Sequence, residues 1–420
     1  MSFWRTSFWS FVAVSLRAGA GLLVNKFFAW HFGAAGLTLL AHFQNLLNLF
    51  YLPAQEGLHK GLIRVWSGDG SRKSAYFWAS WWWHGWWFVL AGVVLWLGSG
   101  WFRQTFGIPS GWLLVLWLSL VGQVLYFLAS SFFLSQEQVR TYATLQALGA
   151  VLMLLFLYSL GDERELWQTL LLYQAGSSAG GVLALFVAGV RWQRLGWWRD
   201  GWVGNQGERA VLLRFIGVAF GVAFLEKGSQ LVIRQLAMDI FSWQELGYWQ
   251  AVVKVSDSYV FLFSATFLTI FYPKVAALLP NPVVCRRYVG QVMGRVFLLL
   301  LFCLGLLYVG REWVLRHLFS PAFVAAEGLF GYVLVGDVFR LGQYFLVQLL
   351  LAAGRLRLYA GLQLTFQLVY GMLVAVVFVF FPSVEALLLA MLCSYVLAAG
   401  AMLWFTRRWL FFSSKPPGDT

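Results

Sequence analysis

Apolar runs long enough to cross a hydrocarbon core, about 20 residues each, recur along the whole chain and are separated by short polar or basic punctuation. Windows of that length place twelve spans at residues 8–30, 35–58, 77–98, 111–134, 142–161, 168–190, 210–237, 247–272, 291–310, 327–352, 359–381 and 385–406. No segment is left over for a soluble domain. The pattern predicts an all-α integral membrane protein, and an even number of spans puts both termini on one side.

Composition agrees: of 420 residues, 60% are hydrophobic and 11% charged, and the mean hydropathy is +0.72. A soluble fold cannot hide that much apolar surface. The net charge of +13 would suit nucleic acid, but the basic residues sit at the ends of apolar runs instead of forming a stripe. That placement fits topology determinants and contacts with anionic membrane lipids, and it argues against nucleic-acid binding.

One set of connections holds Arg5, Lys60, Arg64, Arg72, Lys73, Arg140, Arg191, Arg194, Arg199, Arg209, Lys274, Arg286, Arg287, Arg355, Arg357, Arg407, Arg408 and Lys415. The opposite set holds Arg103, Arg164, Arg311 and Arg316. An asymmetry of 18 to 4 over short loops predicts cytoplasmic termini. The first apolar stretch carries Arg17 and Lys26 and lacks a small-residue cleavage site, so no cleavable signal peptide is expected. Trp78, Trp81, Trp82, Trp83, Trp86 and Trp87 crowd a span and read as an interfacial belt. Cys285, Cys303 and Cys393 are isolated, with neither metal-ligand spacing nor a disulfide framework.

The longest cytoplasmic connection, residues 191–209, is rich in Gly, Trp and Arg and has six spans on either side. It divides the chain into an N-terminal lobe, residues 1–200, and a C-terminal lobe, residues 201–420. The openings of the halves share a layout: Lys26 and Arg234, then Ala29 and Ala237, then Gly36 and Gly247, with spacings of 10 and 13 from basic residue to Gly. Duplicated halves are common among transporters, whose substrate sites lie near the bilayer midplane.

Basic residues fall inside the spans at Arg17, Lys26, Arg214, Lys227, Arg234, Lys254, Arg295 and Arg340. Lys26, Arg214, Arg234 and Arg295 lie within about five residues of a span end and can snorkel to the interface. Arg17, Lys227, Lys254 and Arg340 lie deeper, with Glu226, Asp257 and Asp337 at similar depth. Each such charge costs about 2.5–3.5 kcal/mol at a span centre, or roughly 20 kcal/mol for the seven together if unpaired. They must therefore face protein or water. Lys254 with Asp257, and Asp337 with Arg340, are three apart and share a helix face. No carboxylate stands at helical spacing from Arg17 or Lys227 within their own spans. Positive charge left over in a wet cavity suits an anionic substrate. His42, Asn45 and Asn48, with Gln44 alongside, add a polar stripe to the second span, while Glu56 and His59 near its end read as solvated.

No metal motif, nucleophile elbow or phosphate-binding glycine loop is present. The extracytoplasmic loops are too short for the catalytic platform of a membrane glycan polymerase or ligase. The reading is of a non-enzyme without cofactor or metal.

A family resemblance runs through Asn25, Lys26, Ala29, Gly33, Gly36, Phe43, Gln44, Asn45, Gly57 and Gly61 in the first half. In the second half it runs through Gly247, Tyr248, Trp249, Gln250, Ala251, Ser256, Tyr259, Tyr272, Pro273, Lys274, Gly336, Asp337 and Arg340. On these residues the chain resembles the O-antigen flippases of the Wzx type. They belong to the multidrug/oligosaccharidyl-lipid/polysaccharide exporter superfamily, which also holds multidrug and toxin extrusion (MATE) antiporters and lipid II flippases. The chain departs from the family pattern after Gly61, where Arg64 leads to Trp66 and a Gly-rich turn.

The resemblance implies about twelve transmembrane helices in two six-helix lobes, MATE-like, with a cationic central cavity and alternating access. It implies as substrate an undecaprenyl-diphosphate-linked oligosaccharide, an O-antigen or related repeat unit in lipopolysaccharide biosynthesis, with glycan assembly machinery as a further partner. Arg17, Lys26, Lys227, Arg234, Lys254 and Arg340 form the candidate substrate-binding set. Glu226, Asp257 and Asp337 are candidates for ion pairing or coupling. The competing readings are a drug or cation antiporter, which should prefer a cavity dominated by carboxylates, and a membrane-embedded glycan polymerase or ligase.

Overall fold

The computed structural model describes residues 3–67, 72–159, 165–197, 206–267, 271, 274–275, 278–279, 281–353 and 355–407, and among these the regular elements are all helical. Arg164, Arg199, Tyr272, Pro273, Arg408 and Lys415 lie outside the described residues, as does the middle of the central connection, 198–205.

Helix α1 (Phe3–Leu52) carries the first two predicted spans and breaks between them at Gly33, with φ 62° and ψ −152°. A side chain is rarely tolerated in that region of backbone space, so glycine is what permits the break. The second span ends in a π-helical turn, Pro53–Leu58, opened by a proline that withholds an N–H from the helical ladder. Helix α2 (His59–Ser67) follows. Helix α3 (Lys73–Leu97) bends by 68° into the short α4 (Ser99–Phe106).

Next come α5 (Leu113–Ser135), α6 (Val139–Tyr158), α7 (Leu166–Arg194), α8 (Gln206–Ile240) and α9 (Trp243–Thr266). Then follow α10 (Pro282–Val309), α11 (Arg311–Leu318), a 3-10 segment (Pro321–Leu329), α12 (Phe330–Ala352), α13 (Leu356–Phe380) and α14 (Val384–Arg407). Over its described residues, each of the twelve predicted spans lies mainly on one of the long helices. Among the described residues, seven helices are long and apolar enough to cross a membrane, or eight if α3 and α4 form one broken span. Helices α1, α8 and α9 carry most of the embedded charges.

Two helix starts differ from the apolar windows for a local reason. Helix α9 begins at Trp243, not at residue 247, because Ser242 and Glu245 form a capping box in which each side chain bonds the other's backbone N–H. Helix α10 begins at Pro282, not at residue 291, because the Asn281 side chain accepts from Val284 N and Pro282 suits the first helical position. In both cases polar residues in the opening turns hide the helix from a hydropathy window.

By packing, the chain forms two compact units: Met1–Val24 with Leu39–Leu231, and Asn25–Thr38 with Val232–Thr420. The division passes through α8, whereas the sequence cut at residues 200/201 falls in the connection before it. The first unit has an aromatic core in which Trp66, Phe77, Phe132 and Trp192 are almost fully buried, with Phe77 meeting Trp192 edge-on at 5.0 Å. In the same unit α6 and α7 approach closely: a Cβ on Gly180 would lie 2.6 Å from Gly149 Cα. Small residues allow such contact where lipid provides no hydrophobic drive between helices. The second unit is built around Trp249, Phe319, Phe323, Phe330 and Leu341.

Candidate functional site

The first unit contains a cavity of about 280 Å³ with Arg17 on its wall. Helix α1 supplies Arg17, Gln44 and Asn48, while Gln123 comes from α5, Gln146 from α6, and Tyr173 and Gln174 from α7. Part of this polar wall is fixed by the protein itself. Gln44 donates to the Tyr173 hydroxyl at 3.2 Å, and Gln174 donates to Ser119 O and Ser178 Oγ, both at 3.3 Å. Arg17 is exposed to this space.

The polar stripe predicted on the second span splits in two. Gln44 and Asn48 face the cavity, whereas His42 is fully buried, stacked on Phe106 at 5.5 Å and edge-on to Trp101 at 5.9 Å. His59, read from the sequence as solvated, is half-buried and bonded to Ser131 Oγ at 2.7 Å and Phe127 O at 3.1 Å, so it ties α2 to α5. Glu56 takes the ammonium of Lys60 one turn away.

Elsewhere in the first unit, Lys227 bonds Glu226 at 2.9 Å, both side chains being 37% exposed. The helical-spacing rule passed over this contact because the two residues are adjacent. Neither residue is on the wall of the Arg17 cavity. The tryptophan cluster is partly structural: Trp83 donates to Arg209 O at 3.1 Å, Trp87 donates to Phe50 O at 2.6 Å, and Arg209 lies 4.7 Å over the Trp82 ring.

In the second unit, helices α8, α9 and α12 bring Arg234, Lys254, Asp257, Asp337 and Arg340 into one electrostatic cluster. The Arg340 guanidinium lies 3.0 Å from Asp257 and 3.6 Å from Asp337. Asp337 is fully buried and accepts the Ser256 hydroxyl at 2.6 Å and also the Tyr259 hydroxyl. Arg340 stacks 5.8 Å from the Tyr395 ring, and Arg234 stacks 5.3 Å from the Trp249 ring.

The expected pairing of Asp337 with Arg340 is present. Asp257, assigned from spacing to Lys254 on its own helix, also bonds Arg340 across helices, because guanidinium geometry lets one Arg serve two carboxylates. Arg234 and Lys254 both feel the Asp257 charge. With three basic and two acidic side chains, the cluster keeps one formal positive charge. Lys26 lies half-buried on α1 in this unit, and the side chains of Arg214 and Arg295 are exposed.

No protein-family model matches the chain. Among curated proteins, the lipid III flippases of Escherichia coli (strain K12) and of Shigella flexneri are each 26% identical over 369 residues, or 86% of this chain and 87% of the relative. Among solved structures, the lipid II flippase MurJ in an inward closed conformation superposes with a TM-score of 0.74 at 12% identity, covering 96% of this chain and 87% of that one. An inward-facing MATE family transporter of the MOP superfamily gives a TM-score of 0.70 at 12% identity, covering 95% and 98%. The chain is thus a multi-pass membrane protein with the fold shared by MurJ and the MATE transporters. These relatives are flippases and transporters.

Proposed function

We propose that the chain is a flippase that carries an undecaprenyl-diphosphate-linked oligosaccharide, an O-antigen or related repeat unit, from the cytoplasmic to the periplasmic leaflet of a bacterial inner membrane. The observation that carries this reading is the placement of positive charge inside the spans. Arg17 stands on a polar cavity in the first unit, and Arg234, Lys254 and Arg340 outnumber their carboxylates in the second. A lipid diphosphate must pass a barrier of low dielectric, where a nearby cation acts far more strongly than in water. The lipid III flippase relatives and the MurJ fold support the same class of cargo. A cation antiporter would need an uncompensated carboxylate open to its substrate, but Asp337 is fully buried, and the more exposed Asp257 and Glu226 are paired with Arg340 and Lys227. The two lobes, residues 1–200 and 201–420, are the bodies of an alternating-access cycle in this reading.

The test is reconstitution of the purified protein in liposomes that contain a polyprenyl-diphosphate oligosaccharide, with a membrane-impermeant periodate reading the glycan on the outer leaflet. Accelerated exchange relative to protein-free liposomes is expected. Exchange no faster than in empty liposomes, or equal acceleration of phosphatidylcholine, would overturn the assignment.

Orientation follows from the 18 to 4 basic asymmetry, which favours cytoplasmic termini and a cytoplasmic central connection. In a variant lacking Cys285, Cys303 and Cys393, a single cysteine at Ser110 should react with an impermeant thiol reagent applied to intact cells. One at Gly204, in the central connection, should not. The reverse pattern would invert the topology.

A further inference from the structure

We infer that the cavity of the first unit holds the neutral sugar nearest the diphosphate, gripping its hydroxyl and acetamido groups through uncharged carboxamides while Arg17 meets the diphosphate beside it. This rests on the flippase reading and adds to it a chemical specificity for the glycan.

The wall is unusual for a membrane interior. Asn48, Gln55, Gln123 and Gln146 all face the cavity, and among the described residues none of their carboxamides makes a hydrogen bond to the protein. The hydroxyls of Tyr51 and Tyr126, on the same wall, stand near Gln174 and Tyr142 without reaching good hydrogen-bond geometry. A carboxamide brings two donors and an acceptor, so this surface offers both senses of hydrogen bond in many directions at once. Polar groups of this kind are costly in a lipid environment unless something satisfies them. A hydrocarbon tail leaves them unsatisfied, whereas a sugar hydroxyl, itself donor and acceptor, matches them.

Charge narrows the ligand further. Arg17 is the only Lys, Arg, Asp or Glu on the wall among the described residues. A cationic drug finds no counter-ion there, and once Arg17 is taken by the diphosphate an acidic sugar finds no second cation. The volume of about 280 Å³ lies just below the usual range of ligand sites, roughly 300–1,000 Å³, and suits a single sugar ring better than a whole repeat unit.

The test compares binding of four probes to protein in nanodiscs: undecaprenyl diphosphate alone, and the same carrier bearing a neutral hexose, an N-acetylhexosamine or a hexuronic acid. At least one neutral sugar should improve affinity over the bare carrier by about tenfold, the worth of two ordinary hydrogen bonds, and the uronic acid should not. In Gln123→Leu/Gln146→Leu the ratio of sugar-bearing to bare-carrier affinity should fall towards one. Gln55→Ala, in the π-helical turn, should lower it in the same direction if the double variant does not fold. The inference is overturned if no neutral sugar improves binding, if the uronic acid is preferred, or if the ratio survives in a folded variant. In each of those cases binding of the bare carrier leaves the flippase reading standing. Failure of all four diphosphate lipids to bind would remove both.

Discussion

Arg340→Gln is expected to destabilise the protein by about 3–5 kcal/mol, the usual penalty for removing one member of a buried ion pair. Asp337 is fully buried and keeps its charge compensated through Arg340 and through the hydroxyls of Ser256 and Tyr259. Without the guanidinium, two hydroxyl donors face a carboxylate with no cation at contact distance among the described residues, and Asp257 loses its bond to α12 as well. Asp337→Asn should be milder, because Arg340 keeps Asp257 at 3.0 Å, and the Asp257 side chain is 48% exposed and can be hydrated. The double variant Arg340→Gln/Asp337→Asn should recover much of the loss, since it removes the buried charge together with its partner. Thermal unfolding in detergent, followed by aggregation of the solubilised protein, distinguishes these orders. A double variant no more stable than Arg340→Gln would show that the cluster is held by packing and not by charge.

How this cluster arises marks the limit of what spacing can say. A three-residue separation on one helix was enough to pair Asp337 with Arg340, because the geometry of an α-helix is fixed. Asp257 belongs to another helix, and which helices become neighbours depends on packing that no local pattern encodes. His59 shows the same effect: its position near a span end suggests water, but its partner Ser131 lies 72 residues away on α5. The spans themselves were legible because lipid as solvent imposes a length on every crossing. The short helices α2, α4 and α11 were not, since their half-polar composition gives a hydropathy window nothing to detect. The cavity left a trace in the sequence that charge alone overlooked. Gln123 and Gln146 are each the one carboxamide of an apolar helix, Gln174 is one of three on α7, and only the fold reveals that they converge.

Arg17→Gln should fold as well as the parent protein yet move the diphosphate-linked lipid poorly, whereas Arg17→Lys should keep much of the rate. Arg17 is open to the cavity and does not belong to the cluster around Asp337, so losing its charge leaves the buried Asp337 paired with Arg340. Its removal also relieves an insertion cost of about 2.5–3.5 kcal/mol. What is lost is a charge contact to the substrate, worth about 1.5–3 kcal/mol, or about tenfold to hundredfold in affinity. Because a diphosphate offers several oxygens in many directions, a point charge can replace much of a guanidinium's contribution, which is why lysine is expected to serve.

The second cation to test is Lys254, whose cluster keeps one positive charge beyond its carboxylates. Arg17→Gln/Lys254→Gln should be slower than either single variant in the liposome assay, and the loss should appear equally with bare and sugar-bearing carriers, unlike that from the cavity carboxamides. Flipping at the parent rate by this double variant would refute the role of embedded cations in moving the diphosphate, while leaving the membrane fold and the glycan site to be judged on their own tests.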